Sequence, residues 1–168
     1  MLSEAITSRR KRFQSGVMLL EALIGILIFS MGILAMVAMQ ATTISMAADA
    51  QYRSEAAFLA DEIISRIWVS VDRSDAAALQ ASLNTFRYNT SGSNCNFSGG
   101  AADAGNTVLA NWVAAVTTAA GTRLPGATAA MQQVLVDTAA NNLVTVTVCW
   151  RPPQDTQSRK HVVTANIS

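Results

Sequence analysis

One stretch restricts the fold before anything else does. A polar segment ending Arg9-Arg-Lys-Arg-Phe-Gln-Ser-Gly16 is followed at once by an apolar run from Val17 to Met39. That run matches the ~20 residues a helix needs to cross a bilayer core. As a helix it reaches about 34 Å, at 1.5 Å per residue. It exceeds the apolar segment of an ordinary signal peptide, and no small-x-small cleavage site follows it. Glu21 is the only ionisable residue inside it. A charge in such a span costs on the order of a few kcal/mol, so Glu21 needs a partner or a purpose.

Gly16, an apolar residue after it, and Glu21 five positions beyond the glycine form a set. This set resembles the class III signal of type IV pilins and pseudopilins. The resemblance implies that a prepilin peptidase cuts between Gly16 and Val17 and that Val17 is then N-methylated. The usual first residue after the cut is Phe; here it is Val17. The cut creates an α-amino group, charged at neutral pH. In the family, a glutamate at the position of Glu21 pairs with the N-terminus of a neighbouring subunit during assembly. Opposite charges in a low-dielectric layer attract strongly and offset each other's desolvation. The competing reading has Glu21 near the interface, snorkelling or protonated.

Charge gives the orientation. The formal net charge of the chain is +1. Residues 1–16 carry Arg9, Arg10, Lys11 and Arg12 against Glu4, a net of +3, which leaves −2 on the remainder. Basic residues flanking a span stay cytoplasmic. The C-terminal part is therefore expected in the periplasm, joined to the inner membrane by a single pass. The cluster of four is a topology signal, and no specific nucleic-acid binding is expected. The chain has two cysteines, Cys95 and Cys149. In an exported domain a disulfide between them is permitted; the alternative is two free thiols.

The helix should continue past the membrane. No Pro occurs between Gln40 and Pro125, and no Gly before Gly92. Tyr52, Ala56, Leu59, Ile63 and Ile67 recur at helical spacing. Asp49–Arg53 and Glu62–Arg66 are acid-before-base i,i+4 pairs. These features predict one helix from Val17 to Val71, spanning over residues 17–39 and amphipathic over 40–71. Ser30-Met-Gly to Gln40 and Tyr52 to Ile67 resemble minor pilins of the PilV type. Ala38 stands where major pilins usually carry Pro. Gly25 and Gly32 are weak points or small contacts for neighbouring helices.

Residues 72–168 are expected to form the globular domain. Ser74–Phe86 reads as a short helix or loop, and Asn89–Asn106 as a long loop. Asn89-Thr-Ser and Asn96-Phe-Ser are chance matches to the glycosylation pattern. Asn106 is expected to cap a helix from Thr107 to Ala120 that stops at Gly121 and aligns Val108, Trp112, Ala115 and Ala119. Leu124-Pro-Gly126 reads as a turn. Strands are expected over Gln132–Asp137, Leu143–Trp150 and His161–Ile167, as an antiparallel meander. The alternation sets Val144, Val146, Val148 and Trp150 on one face and Cys149 on the other, so Cys95 must reach it from the loop side. Leu-Ala-Asn-Trp112, Leu-Pro-Gly126 and the strand ending in Trp150 again resemble the PilV-type C-terminal half. The expected class is α+β, pilin-like: one long N-terminal helix packed on a small antiparallel sheet.

No catalytic constellation, cofactor motif or metal-ligand spacing stands out. His161 is the only histidine, and it reads as solvated. Asp72 and Asp75 read as helix-end charges. The resemblance implies a minor pilin that contributes to type IV pilus assembly or initiation, at or near the tip, and so to twitching motility and attachment. Its implied partners are the prepilin peptidase, other minor and major pilins, the inner-membrane assembly platform and membrane lipid. The alternatives are a type II secretion pseudopilin and a signal-anchored periplasmic binding module.

Overall fold

The structure, a computed structural model, describes residues 15–117 and 124–168. Residues 1–14, with the basic cluster, lie outside the described residues. So does the expected end of the helix at Ala120 and Gly121. The chain divides into two compact units between Met46 and Ala47.

Helix α1 runs from Ser15 to Ser70, 56 residues, unbroken through Gly25 and Gly32. Within the first unit every residue from Gly16 to Met46 is exposed. Its few hydroxyls are satisfied within the helix. Ser30 donates to the Leu27 carbonyl, Thr42 to Ala38 and Thr43 to Met39. Such back-bonding removes the polar penalty those side chains would otherwise carry in lipid. The helix is long and apolar enough to cross a membrane, by length and composition.

In the second unit, α1 turns amphipathic. Ala56, Leu59, Ala60, Ile63 and Ile67 are fully buried, and Tyr52 packs beside them. The stripe expected from the spacing is the stripe that is buried. The two acid–base pairs form on the wet side, with Arg53 Nε–Asp49 Oδ2 at 3.2 Å and Arg66 Nη2–Glu62 Oε1 at 2.6 Å. Asp72 accepts from the Ser74 N–H at 2.9 Å, which holds its carboxyl below the usual carboxylate range. Asp75 caps helix α2 (Ala76–Asn84) by accepting from the Ala78 N–H at 2.7 Å. These aspartates organise the corner after α1.

Asn89–Asn106 is more structured than a loop. It contains strands β1 (Ser91–Ser93) and β2 (Asn96–Ser98), paired antiparallel. The turn residues Asn94 and Cys95 have φ of 52° and 61°, the left-handed pair of a tight hairpin. Gly92 is obligatory there: a Cβ would come within 2.2 Å of the Asn96 carbonyl oxygen. Helix α3 follows (Thr107–Thr117), with Asn106 Oδ1 accepting from the Leu109 N–H at 3.0 Å. Its buried residues are Leu109, Trp112 and Val116, and Ala115 is exposed. The expected face was therefore rotated. Apolar residues flank Trp112 on both sides of α3, and Leu109 has the larger surface to bury than Val108.

The sheet has order β3-β4-β5, with β3 Gln132–Asp137, β4 Leu143–Trp150 and β5 Arg159–Asn166. Both pairings are antiparallel. Asn141 and Asn142 take left-handed conformations in the β3–β4 connection. Val144, Val146, Val148 and Trp150 join the α1 stripe in one core, with Val163 and Ala165 packed against it. The fold is α+β, a long N-terminal helix whose amphipathic part packs with a small antiparallel sheet.

Candidate functional site

Two features lie outside the main core: the exposed apolar helix and the hairpin fixed to the sheet's outer face. On α1, Val17 and Glu21 are four residues apart and so share a face. Helical side chains lean toward the N-terminus, which aims Glu21 back toward residue 17. A Cβ at Gly16, Gly25 or Gly32 would meet no atom within 4 Å, so each glycine leaves an open notch in the helix surface. A helix apolar on every side needs lipid or other helices around it.

The hairpin is held from below. Cys95 and Cys149 form a disulfide with Cα atoms 5.9 Å apart, inside the ordinary range for such bonds. Cys149 lies on the face of β4 opposite the valines, and Cys95 reaches it from the hairpin, as the alternation requires. Phe97 joins the two cysteines in a small second core, with Met131 against it. The bridge spans 54 residues; in the chain-entropy account it contributes about 4 kcal/mol. Replacing both cysteines with serine is expected to lower the unfolding midpoint of the domain. A thermal melt in detergent should show the same loss when the native protein is reduced.

Buried amides complete the anchorage, and sequence reasoning missed them. Asn89 donates from Nδ2 to the carbonyls of Ala129 (2.8 Å) and Gln132 (2.9 Å) and accepts the Gly100 N–H at 3.0 Å. Gln132 donates to the Cys149 carbonyl at 3.0 Å and accepts the Cys149 N–H at 3.2 Å. Gln133 donates to the Asn89 carbonyl at 2.8 Å. The only hint in the sequence was Gln-Gln at the head of a strand whose both faces are covered.

At the same end of the sheet, Arg159 forks between two carboxylates. Its Nε meets Asp155 Oδ2 at 2.8 Å and its Nη1 meets Asp49 Oδ2 at 3.1 Å. The Asp155 hydrogen bond is the main cause that raises the guanidinium pKa. The groups are partly exposed, so the cluster positions chain segments more than it stabilises them. Arg73 stacks over Trp68, 5.2 Å from the ring centre, and donates to the Ser168 carbonyl at 3.0 Å. His161 sits half-buried in β5 opposite Val148. A groove of about 380 Å³ runs along α3, lined by Tyr88, Asp103, Leu109 and Val113 among others. Asp103 there accepts from the Gly105 N–H at 2.8 Å. Among the described residues, no group of three or more His, Cys, Asp or Glu comes together to hold a metal. No family model, curated protein or solved structure matches the chain.

Proposed function

We propose that this chain is a minor pilin, a structural subunit that contributes to the assembly and initiation of type IV pili. The observation that carries the reading is the set Gly16, Val17 and Glu21 at the head of an unbroken helix whose apolar run reaches Met39 and which is exposed up to Met46. The work of such a subunit is assembly. The basic leader stays in the cytoplasm, the helix waits in the inner membrane, and the peptidase cuts after Gly16. The new amino group at Val17 and the carboxylate of Glu21 then give each incoming helix one positive and one negative end-group in an apolar layer. Transfer from lipid to a bundle of similar helices keeps the apolar run out of water throughout. The disulfide-bonded domain, suited to an oxidising compartment, is carried on the outside. Placement near the tip, with its effects on motility and attachment, follows from the resemblance to PilV-type minor pilins.

The test is the intact mass of the membrane-extracted protein from cells with and without prepilin peptidase. Loss of residues 1–16 only when the peptidase is present is the expected result, with one added methyl at Val17. Retention of the leader in both strains would overturn the reading. A secretion defect with normal pili in a deletion strain would point to a pseudopilin instead.

A further inference from the structure

The sheet has one closed edge and one open edge. The β3 edge is closed over Gln132 and Val134. Tyr88 exchanges both backbone bonds with Val134, at 2.9 and 3.0 Å, and Asn89 covers the Gln132 carbonyl. The β5 edge is regular over eight residues, without a bulge. Two observations fix which of its groups point outward. The Ile167 N–H donates to the Asn142 carbonyl, so Ile167 opens toward β4, and by alternation so do Ala165, Val163 and His161. The Cys149 N–H is turned away, toward Gln132 on β3, so its β5 partner Lys160 opens outward. The backbone groups of Lys160, Val162, Thr164 and Asn166 therefore face away from the sheet and meet no backbone partner among the described residues. Val162 is also 45% exposed on this row. Natural edges of this length are normally kinked, covered or heavily charged; this one carries Lys160 alone in its outward row.

We infer that β5 receives an extended strand from a different polypeptide, with an acidic residue against Lys160 and a β-branched or apolar residue against Val162. Backbone bonds would supply the attachment and alternate side chains the selectivity. A second copy of this chain does not fit. Antiparallel self-pairing would set Lys160 against a member of the same outward row, Lys160, Val162, Thr164 or Asn166, none of them acidic. Parallel two-fold self-pairing sets each outward N–H level with its own counterpart, so no bond forms. Head-to-tail stacking needs the β3 edge, which Tyr88 closes. The outward row contains no acid, so charge complementarity asks for one on the partner.

The experiment places a photoreactive benzoylphenylalanine at Thr164 of the full-length chain in intact cells. Irradiation is expected to give one discrete adduct whose added mass differs from that of this chain. Val162→Pro removes an outward N–H and leaves the β4–β5 ladder whole. It is expected to cut the adduct about tenfold, the loss of roughly one backbone hydrogen bond at the upper end of its range, while Val162→Thr retains it. Formation of the Cys95–Cys149 disulfide reports that each variant is folded. Lys160→Glu touches no ladder bond and is expected to reduce the adduct as well, which keeps the test informative if the proline variant fails to accumulate. No adduct, an adduct of twice the chain mass, or an adduct indifferent to both Val162→Pro and Lys160→Glu would each overturn the proposal. None of these outcomes depends on whether Gly16 is cut, so the mass experiment above fails or succeeds separately.

Discussion

Replacing Glu21 with Gln is expected to leave the chain in the membrane fraction at its normal level and to cut its recovery from sheared surface fibres at least tenfold, roughly the minimum consequence of leaving one charge of a pair unmatched in a low dielectric. Insertion does not need the carboxylate; removing it makes the apolar run from Val17 to Met39 more hydrophobic still. In the proposed assembly, docking of one helix against others does need it, because an amino group freed at Val17 would have no other acid between Val17 and Met39 to meet. Gln keeps the shape and loses the charge, so the comparison isolates electrostatics from packing. Immunoblots of membrane and sheared fractions measure both quantities. Normal recovery in fibres would remove the pairing argument while leaving the span intact.

The second large effect separates two tryptophans that are equally buried. Trp112 and Trp150 are each 1% exposed. Trp112 donates from Nε1 to the Leu59 carbonyl at 2.8 Å, tying α3 to α1. Trp150 Nε1 is buried with no hydrogen-bond partner among the described residues. Trp112→Ala is expected to cost about 3–5 kcal/mol, a large part of the roughly 5–15 kcal/mol that holds a typical domain together. Trp112→Phe should cost about 1 kcal/mol beyond the size change, for the lost hydrogen bond. Trp150→Phe removes a donor that has no acceptor, so its polar contribution should be neutral or stabilising. Denaturant midpoints of the three variants in one detergent decide this; equal losses for the two Phe variants would contradict the assignment of partners.

Much of the architecture was legible because it depends on period alone. The α1 stripe from Tyr52 to Ile67 follows from a spacing of three and four. The bounds of β3 and β4 follow from strict alternation and from the asparagines between them. The turn at Leu124-Pro-Gly126 follows from residue chemistry: Gly126 has φ of 62°, and a Cβ there would come within 2.7 Å of the Arg151 carbonyl oxygen. The strand β5 begins at Arg159, two residues before the alternation becomes visible at His161, because its first contacts are the ion pairs to Asp155 and Asp49.

The rest needed contacts between distant residues. The hairpin Ser91–Ser98 is built from Ser, Gly and Asn, types that favour turns over strands. It is a hairpin because Gly92 permits the close approach, because Asn94 and Cys95 accept left-handed backbone, and because the bond to Cys149 holds it down. In α3 two overlapping apolar stripes pass through Trp112, and only docking against α1 selected Leu109 and Val116. Asn89, Gln132 and Gln133 look like surface residues until their amides are seen to satisfy backbone groups that no strand reaches.

The sequence by itself determined the long apolar run, the length of the helix, its buried stripe and the alternation of the strands. Each is a local periodicity of apolar groups seeking to leave water, and local order suffices to read it. The tertiary structure alone decided that Cys95 and Cys149 meet, that Tyr88 and Asn89 close the β3 edge over Val134 and Gln132, and that the β5 edge stays open. Those depend on which backbone donors and acceptors remain unpaired once the core has closed, a remainder that no stretch of sequence contains.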